Sequence, residues 1–121
     1  MPDPLAAFED DTIDAVAGET GIAPDVLREL IRRQQRLVRE FPDMTVEALV
    51  HDWRKAFPDN PLVGTDATAY YLSVRPGVWS DVVGRLDLTA DEREALRLVN
   101  AREFEEARGK PARKTAVVLT K

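Results

Sequence analysis

The feature that most constrains the fold is an amphipathic stretch from Ile13 to Phe41. Its second part repeats apolar residues at i, i+3, i+4 and i+7, which is typical of a helix with one buried face. These residues are Val26, Leu27, Leu30, Ile31, Leu37, Val38 and Phe41. Pro24 suits the first helical turn, where a missing N–H costs nothing, and Pro42 predicts that the helix ends near Phe41.

A shorter helix is predicted before this long one. Thr12 can cap it with its hydroxyl, and Gly18 or Gly21 can supply the left-handed residue that ends a helix. Its inner face consists of Ile13, Val16 and Ala17. We therefore expect two helices that meet at an angle through a glycine turn.

Three pairs of residues occupy the key positions of this corner: Val16 with Ala17, Gly21 with Ile22, and Leu27 with Leu30. With these residues, the Ile13–Leu30 segment resembles the helix-turn-helix family of DNA-binding proteins. The resemblance implies that the second helix enters the major groove. Its outward positions would then be Asp25, Arg28, Glu29 and Arg32. An ordinary helical corner with glycine at its turn is the alternative interpretation, and we favour it.

Arginines make one face of the long helix basic, and such a face can bind phosphate or an acidic partner. They are Arg28, Arg32, Arg33, Arg36 and Arg39. Glu29 lies four residues before Arg33, and local pairing of this kind is common on a solvated helix face. We therefore favour a paired, solvated face over a phosphate-binding one.

Three further helices are predicted after the corner. One spans Thr45 to Phe57 and is followed by a loop to about Thr65, and a second begins at Pro76. The Thr89-Ala90-Asp91-Glu92 pattern is a capping box that starts a long helix, with Gly109 as its C-terminal cap.

The segment from Ala67 to Val74 has two interpretations. Asp66 can cap a short helix that continues to Ser73, whereas the aromatic and branched residues from Tyr70 to Val74 favour a strand. We take the helix as the expected structure and keep the strand as the alternative.

The C-terminal tail, residues 110–121, is basic and contains no acidic residue. The run from Thr115 to Thr120 favours a β-strand, and an isolated strand is not stable in water. The run is therefore disordered, or pairs with Tyr70–Val74, or pairs with another chain. Residues 1–27 hold seven acidic residues and no basic one, so the two ends can attract each other within one molecule or between two protomers. A tail that binds nucleic acid is the alternative, and we favour self-association because of the adjacent β-favouring run.

Composition bounds the class of protein. The net charge is −5, and no cysteine is present, which excludes disulfides and Cys-ligated zinc. The chain has 13 Arg against 4 Lys and 12 Asp against 10 Glu. In its amino-acid usage the chain resembles small haloarchaeal proteins with no assigned activity, and this resemblance implies a cytoplasmic setting. No apolar run approaches the roughly 20 residues that cross a bilayer.

No arrangement typical of catalysis is found in the sequence. His51 is the only histidine, and neither serine lies in a Gly-x-Ser-x-Gly elbow. We therefore expect no enzyme activity, no cofactor and no metal, and we identify no small-molecule substrate.

We expect a mainly α-helical fold: a compact single-domain bundle of five or six helices, with room for a small two-stranded β element involving the C-terminal tail. Residues 1–109 would form the helical domain and 110–121 the basic tail. The leading functional hypothesis is a cytoplasmic interaction protein that self-associates as a dimer, and the alternative is a helix-turn-helix regulator that binds DNA. Candidate contact residues are Arg28, Arg32, Arg36, Arg39, Lys110, Arg113 and Lys114.

Overall fold

A computed structural model describes residues 5–39, 62–112 and 114–120 of the chain. In chain order, the elements of these ranges are α1 (Asp10–Thr20), α2 (Pro24–Arg39), β1 (Leu62–Thr65), β2 (Ala69–Val74), α3 (Pro76–Gly84), α4 (Ala90–Arg108) and β3 (Thr115–Thr120). The predicted bundle of five or six helices is wrong, because the described ranges contain four helices and a three-stranded sheet. The helix predicted from Thr45 to Phe57 lies outside the described residues.

The sheet is antiparallel and has the order β1-β2-β3, so β2 lies in the centre. Leu72 of β2 is opposite Leu62 on one side and Val117 on the other. The register between β1 and β2 shifts between Leu62 and Gly64, which marks a β-bulge or irregularity in the edge strand. The loop that we predicted up to Thr65 is therefore a strand in its last part.

The predicted helix from Ala67 to Ser73 is also wrong, since this segment contains β2. The Asp66 carboxylate accepts hydrogen bonds from the backbone N–H groups of Thr68 and Ala69, both at 2.8 Å. The same side chain that suggested a helix cap closes the turn between β1 and β2 instead. On its other side β2 pairs with β3, so the Thr115–Thr120 run of the tail pairs with the Tyr70–Val74 segment, one of the three alternatives for that run.

The C-terminal strand is enclosed by the rest of the fold. Ala116 to Thr120 are all buried in succession. Because successive side chains of a strand point to opposite faces, an unbroken buried run means that both faces are covered. Part of the predicted basic tail is thus a core strand.

The corner between the first two helices forms as predicted. Gly21 ends α1 in the left-handed conformation with φ 73°, and its N–H donates to the Ala17 carbonyl. Ala17 and Leu27 are both buried in the same core. Two details differ: α1 begins at Asp10 with Glu9 rather than Thr12 at the N-cap position, and Val26 is 42% exposed.

Helix α4 packs against α1, α2 and β3 and so joins the corner to the sheet. It has the predicted capping box between Thr89 and Glu92, and Gly109 caps its other end with φ 72°. Within the described ranges, no helix combines the length and the apolar character needed to cross a membrane.

Candidate functional site

The predicted contact residue Arg28 belongs to α2, and its side chain reaches α1. Its guanidinium is 3.4 Å from the Asp10 carboxylate, 3.1 Å from that of Asp14 and 3.7 Å from that of Asp25. Three carboxylates therefore surround one cation that is only 22% exposed. Arg28 holds the two helices together, and its charge is neutralised within the chain.

Arg32 and Arg36 both pair with Glu29, at 3.4 and 3.5 Å. Arg33 points inward, where it donates to the Leu86 carbonyl at 2.5 Å. The backbone of Arg39 ends the described part of α2, and its side chain lies outside the described residues. The face is therefore basic in sequence but largely paired in the fold.

Four charged residues of α2 form one stripe along the helix, which we call the α2 stripe: Asp25, Glu29, Arg32 and Arg36. Their spacing of four, three and four residues keeps them on one face. Their side chains are between 41% and 101% exposed. The acidic residues occupy the N-terminal half of the stripe and the basic residues the C-terminal half, an order that also complements the helix dipole.

The tail bases lie elsewhere in the chain, between α4 and β3. Lys110 and Lys114 are exposed, and the backbone N–H of Lys114 donates to the Ser73 hydroxyl at 3.0 Å. Arg113 lies outside the described residues. These bases stand on a different segment from the arginines of the α2 stripe.

Sequence reasoning missed a group of buried amide side chains between α2, α4 and β3. Gln35 donates to the Val118 carbonyl at 2.8 Å and accepts from the Thr120 N–H at 2.9 Å. Asn100 accepts from the Val118 N–H at 2.9 Å. The outer edge of β3 is therefore hydrogen-bonded to helix side chains at these positions, which removes groups that could pair with another strand.

Gln34 and Asn100 complete this amide network. Each donates to the other, at 3.1 and 2.9 Å, and Asn100 also donates to the Leu96 carbonyl at 2.8 Å. Among the described residues, every buried side-chain nitrogen and oxygen has a hydrogen-bond partner. The helical spacing of Leu27, Leu30 and Ile31 continues to Gln34 and Gln35, and this was the signal that could have revealed them.

A second group that the sequence did not reveal consists of carboxyl side chains where α1 meets α4. Glu103 is 5% exposed and accepts a hydrogen bond from the Glu9 N–H at 2.8 Å. The Thr12 hydroxyl donates to Glu106 at 3.5 Å. Further along, Glu19 pairs with Arg102, and this hydrogen bond lowers the pKa of Glu19.

Burial raises the pKa of Glu103, and the charges of Glu106 and Glu9 raise it further. The hydrogen bond from the Glu9 N–H opposes this effect, because it favours the charged carboxylate. The charge of Glu106 raises the pKa of Glu9 in turn. On β2, burial raises the pKa of Tyr71, whose hydroxyl donates to Asp66 at 2.7 Å.

These arrangements perform structural tasks in the described part of the chain: Arg28 and the amide network join elements, and Glu103 holds the start of α1. No three His, Asp or Glu side chains there converge in a way that could hold a metal ion. No curated protein and no solved structure matches the chain. A family model does match it over residues 6–121, and the chain therefore belongs to the family described as a domain of unknown function (DUF8048).

Proposed function

We propose that the protein is a non-enzymatic interaction protein that self-associates as a homodimer through the α2 stripe. The observation that carries this proposal is the order of charges along an exposed helix face. Asp25 and Glu29 lie in one half, and Arg32 and Arg36 lie in the other. A second copy of the same helix, running antiparallel, presents the complementary order.

The spacing supports a two-fold arrangement. In a symmetric dimer, if residue i contacts residue j of the partner, then j contacts i. Pairing Asp25 with Arg36 and Glu29 with Arg32 centres both pairs on the same point of α2, between Leu30 and Ile31. Each pairing occurs twice in the dimer, once in each direction, and a single two-fold axis relates the resulting four ion pairs.

Charge complementarity of this kind sets orientation and association rate more than affinity. Glu29 already pairs with Arg32 and Arg36 inside one chain, so dimerisation exchanges these contacts for similar ones. Exposed ion pairs contribute little and are screened by salt. Val26, which lies beside the stripe and is 42% exposed, adds apolar surface. We therefore expect a weak dimer that dissociates as the salt concentration rises.

The C-terminal tail is a poorer candidate for the contact. Strand-to-strand dimerisation needs free backbone groups at a sheet edge. On β3, the N–H groups of Val118 and Thr120 and the carbonyl of Val118 already bind Asn100 and Gln35. Opening that edge to a second chain would leave these buried amides unpaired.

Complementary charge reversal tests the proposal. One variant carries Asp25→Arg and Glu29→Arg, and the other carries Arg32→Glu and Arg36→Glu. Each alone should remain monomeric in sedimentation equilibrium at low salt, because like charges then meet at the interface. An equimolar mixture should form a heterodimer.

A matched control reverses Glu94 and Glu105, two exposed acidic residues of α4, to arginine. This variant should dimerise as the natural chain does. The proposal fails if the natural chain stays monomeric at every concentration, or if both stripe variants dimerise unmixed.

A helix-turn-helix regulator that binds DNA is the alternative function. Gly21 at the turn and the buried Ala17 and Leu27 support it, since the motif needs residues of these types there. The carboxylates around Arg28 and the net charge of −5 oppose it, because phosphate contacts supply most of the affinity for DNA.

Filter binding to duplex DNA at several salt concentrations separates the two functions. A regulator predicts retention that falls steeply with salt and weakens in Arg28→Ala and Arg32→Ala. Absence of retention at every salt concentration excludes the alternative and leaves the dimer hypothesis untouched.

A further inference from the structure

The start of α1 depends on a side chain from the far end of the chain. Glu9 occupies the N-cap position, and its own side chain makes no capping hydrogen bond. Its backbone N–H instead donates to Glu103 Oε1 at 2.8 Å, across 94 positions of sequence. In α4 the equivalent N–H, that of Thr89, binds the local carboxylate of Glu92 at 2.9 Å. Glu103 thus performs for α1 the task that the third helical residue performs in a capping box.

Carboxyl and hydroxyl groups surround this contact. Glu9, just before α1, and Thr12 within it face Glu103, Glu106 lies one turn further along α4, and Tyr71 faces Glu103 from β2. The charge of Asp11 also acts on Glu9. Among the described residues, no cation forms an ion pair with Glu9, Glu103 or Glu106. At neutral pH the contact therefore combines a useful hydrogen bond with repulsion between carboxylates and with burial of a charge.

We propose that the contact between Glu103 and the Glu9 amide is a proton-responsive latch, which holds the start of α1 on α4 more tightly in mildly acidic solution than in neutral solution. A neutral carboxyl group keeps a carbonyl oxygen that accepts the Glu9 N–H. It also gains an O–H group that can donate a hydrogen bond to a neighbouring carboxylate. Protonation weakens the hydrogen bond from the Glu9 N–H without breaking it. It also removes the cost of burying a charge, which is the largest effect on the Glu103 carboxyl group, and the repulsion between the carboxylates.

The sign of the pH dependence follows from proton linkage. The pKa values of Glu103 and Glu9 are both raised above their ordinary value of 4.5 in the folded chain. Between the ordinary value and the folded value, the folded state binds more protons than the unfolded state. The contribution of these groups to stability therefore falls as the pH rises through their folded pKa values.

The test uses the full-length chain and two NMR measurements. The first is a ¹³C titration of the side-chain carboxyl groups, in which Glu103 should titrate above its ordinary value. The second is the hydrogen-exchange protection factor of the Glu9 amide, corrected for intrinsic exchange. We expect this factor to rise as the pH falls from neutral toward the ordinary pKa of a glutamate, because the folded state binds more protons than the unfolded state in that interval.

Glu103→Gln imitates the neutral acid, because its amide oxygen still accepts from the Glu9 N–H. In this variant the protection factor should stay high across the whole pH range. Glu105→Gln, at an exposed position of the same helix, should keep the pH dependence of the natural chain. If Glu103 titrates at or below its ordinary value, or if the protection of Glu9 in the natural chain does not change with pH, the latch does not exist. Those two results come from the natural chain and decide the matter even if a variant fails to fold.

Discussion

The carboxamide of Gln35 donates to the carbonyl oxygen of Val118 at 2.8 Å, across 83 positions of sequence. It also accepts from the Thr120 N–H at 2.9 Å, so one side chain of α2 makes the two hydrogen bonds that a neighbouring strand would make. The sheet is closed at this edge by a helix. The strand predicted in the tail is therefore part of the core, and its outer edge is occupied at Val118 and Thr120. The exposed face of α2 is the better candidate for a partner surface.

Replacing Gln35 by alanine should destabilise the chain strongly. The change leaves the Val118 carbonyl and the Thr120 N–H buried without these partners, and each lost partner costs about 1–3 kcal/mol. Urea unfolding followed by circular dichroism should give a correspondingly lower free energy of unfolding. Arg36→Ala, at the exposed neighbouring position, should change stability by no more than about 0.5 kcal/mol. Equal unfolding midpoints for the two variants would mean that Gln35 does not close the sheet.

Gln34 and Asn100 should be energetically coupled, because each donates to the other. Gln34→Ala, Asn100→Ala and the double variant form a cycle whose coupling energy should be about 0.5–3 kcal/mol. Asn100→Ala should cost more than Gln34→Ala, since it also removes the acceptor of the Val118 N–H. Additive effects in thermal or urea unfolding would contradict the paired geometry.

Two glycines near the corner should respond to alanine in opposite directions. Gly21 has φ 73°, so Gly21→Ala should destabilise the chain by about 1–2 kcal/mol although no atom obstructs the new methyl group. Gly18 lies inside α1 with equally open space, and Gly18→Ala should stabilise the chain by about 0.5–1 kcal/mol. Melting temperatures of the two variants compare these effects directly. Melting temperatures that shift in the same direction for both variants would contradict a left-handed turn at Gly21 and a helical conformation at Gly18.

A chain that ends at Gly109 should lose cooperative unfolding. The truncation removes β3 and with it a run of buried residues from Ala116 to Thr120, and it exposes one side of β2. Lys110→Ala with Lys114→Ala removes two exposed tail charges and keeps the strand, so this variant should unfold as the natural chain does. Calorimetry distinguishes the two outcomes. A truncated chain that melts cooperatively at the natural temperature would show that β3 is dispensable.

Local signals predicted the helices of the described ranges well. The Thr89 and Glu92 capping box, the glycines at the ends of α1 and α4, and Pro24 at the start of α2 act within a few residues of chain. Chemistry of this range is visible in the sequence. The N-cap of α1 was missed because its partner, Glu103, lies on another helix.

Strands were harder to predict because their partners are distant. Leu72 pairs with Val117, which lies beyond two helices in the sequence. The Asp66 carboxylate suits a helix N-cap and a hairpin turn equally well, so the local pattern left the choice to tertiary structure.

The candidate site was visible only in part. Arginine spacing along α2 predicted which residues share a face, and the structure agrees for Arg32 and Arg36. The spacing in the sequence did not reveal that Asp10 and Asp14 come within 3.4 and 3.1 Å of Arg28, because these distances depend on the angle between two helices. The buried face of α2 was predicted from apolar residues alone, so Gln34 and Gln35 were not assigned to it, although both are buried.

An NMR dilution series at low salt tests most directly whether α2, rather than the C-terminal strand, carries self-association. The backbone amide shifts of Asp25, Glu29, Arg32 and Arg36 should change with protein concentration, while the Val118 and Thr120 amides keep constant shifts and remain protected from exchange. Shift changes centred on Val118 and Thr120, or no change at any concentration, would contradict it.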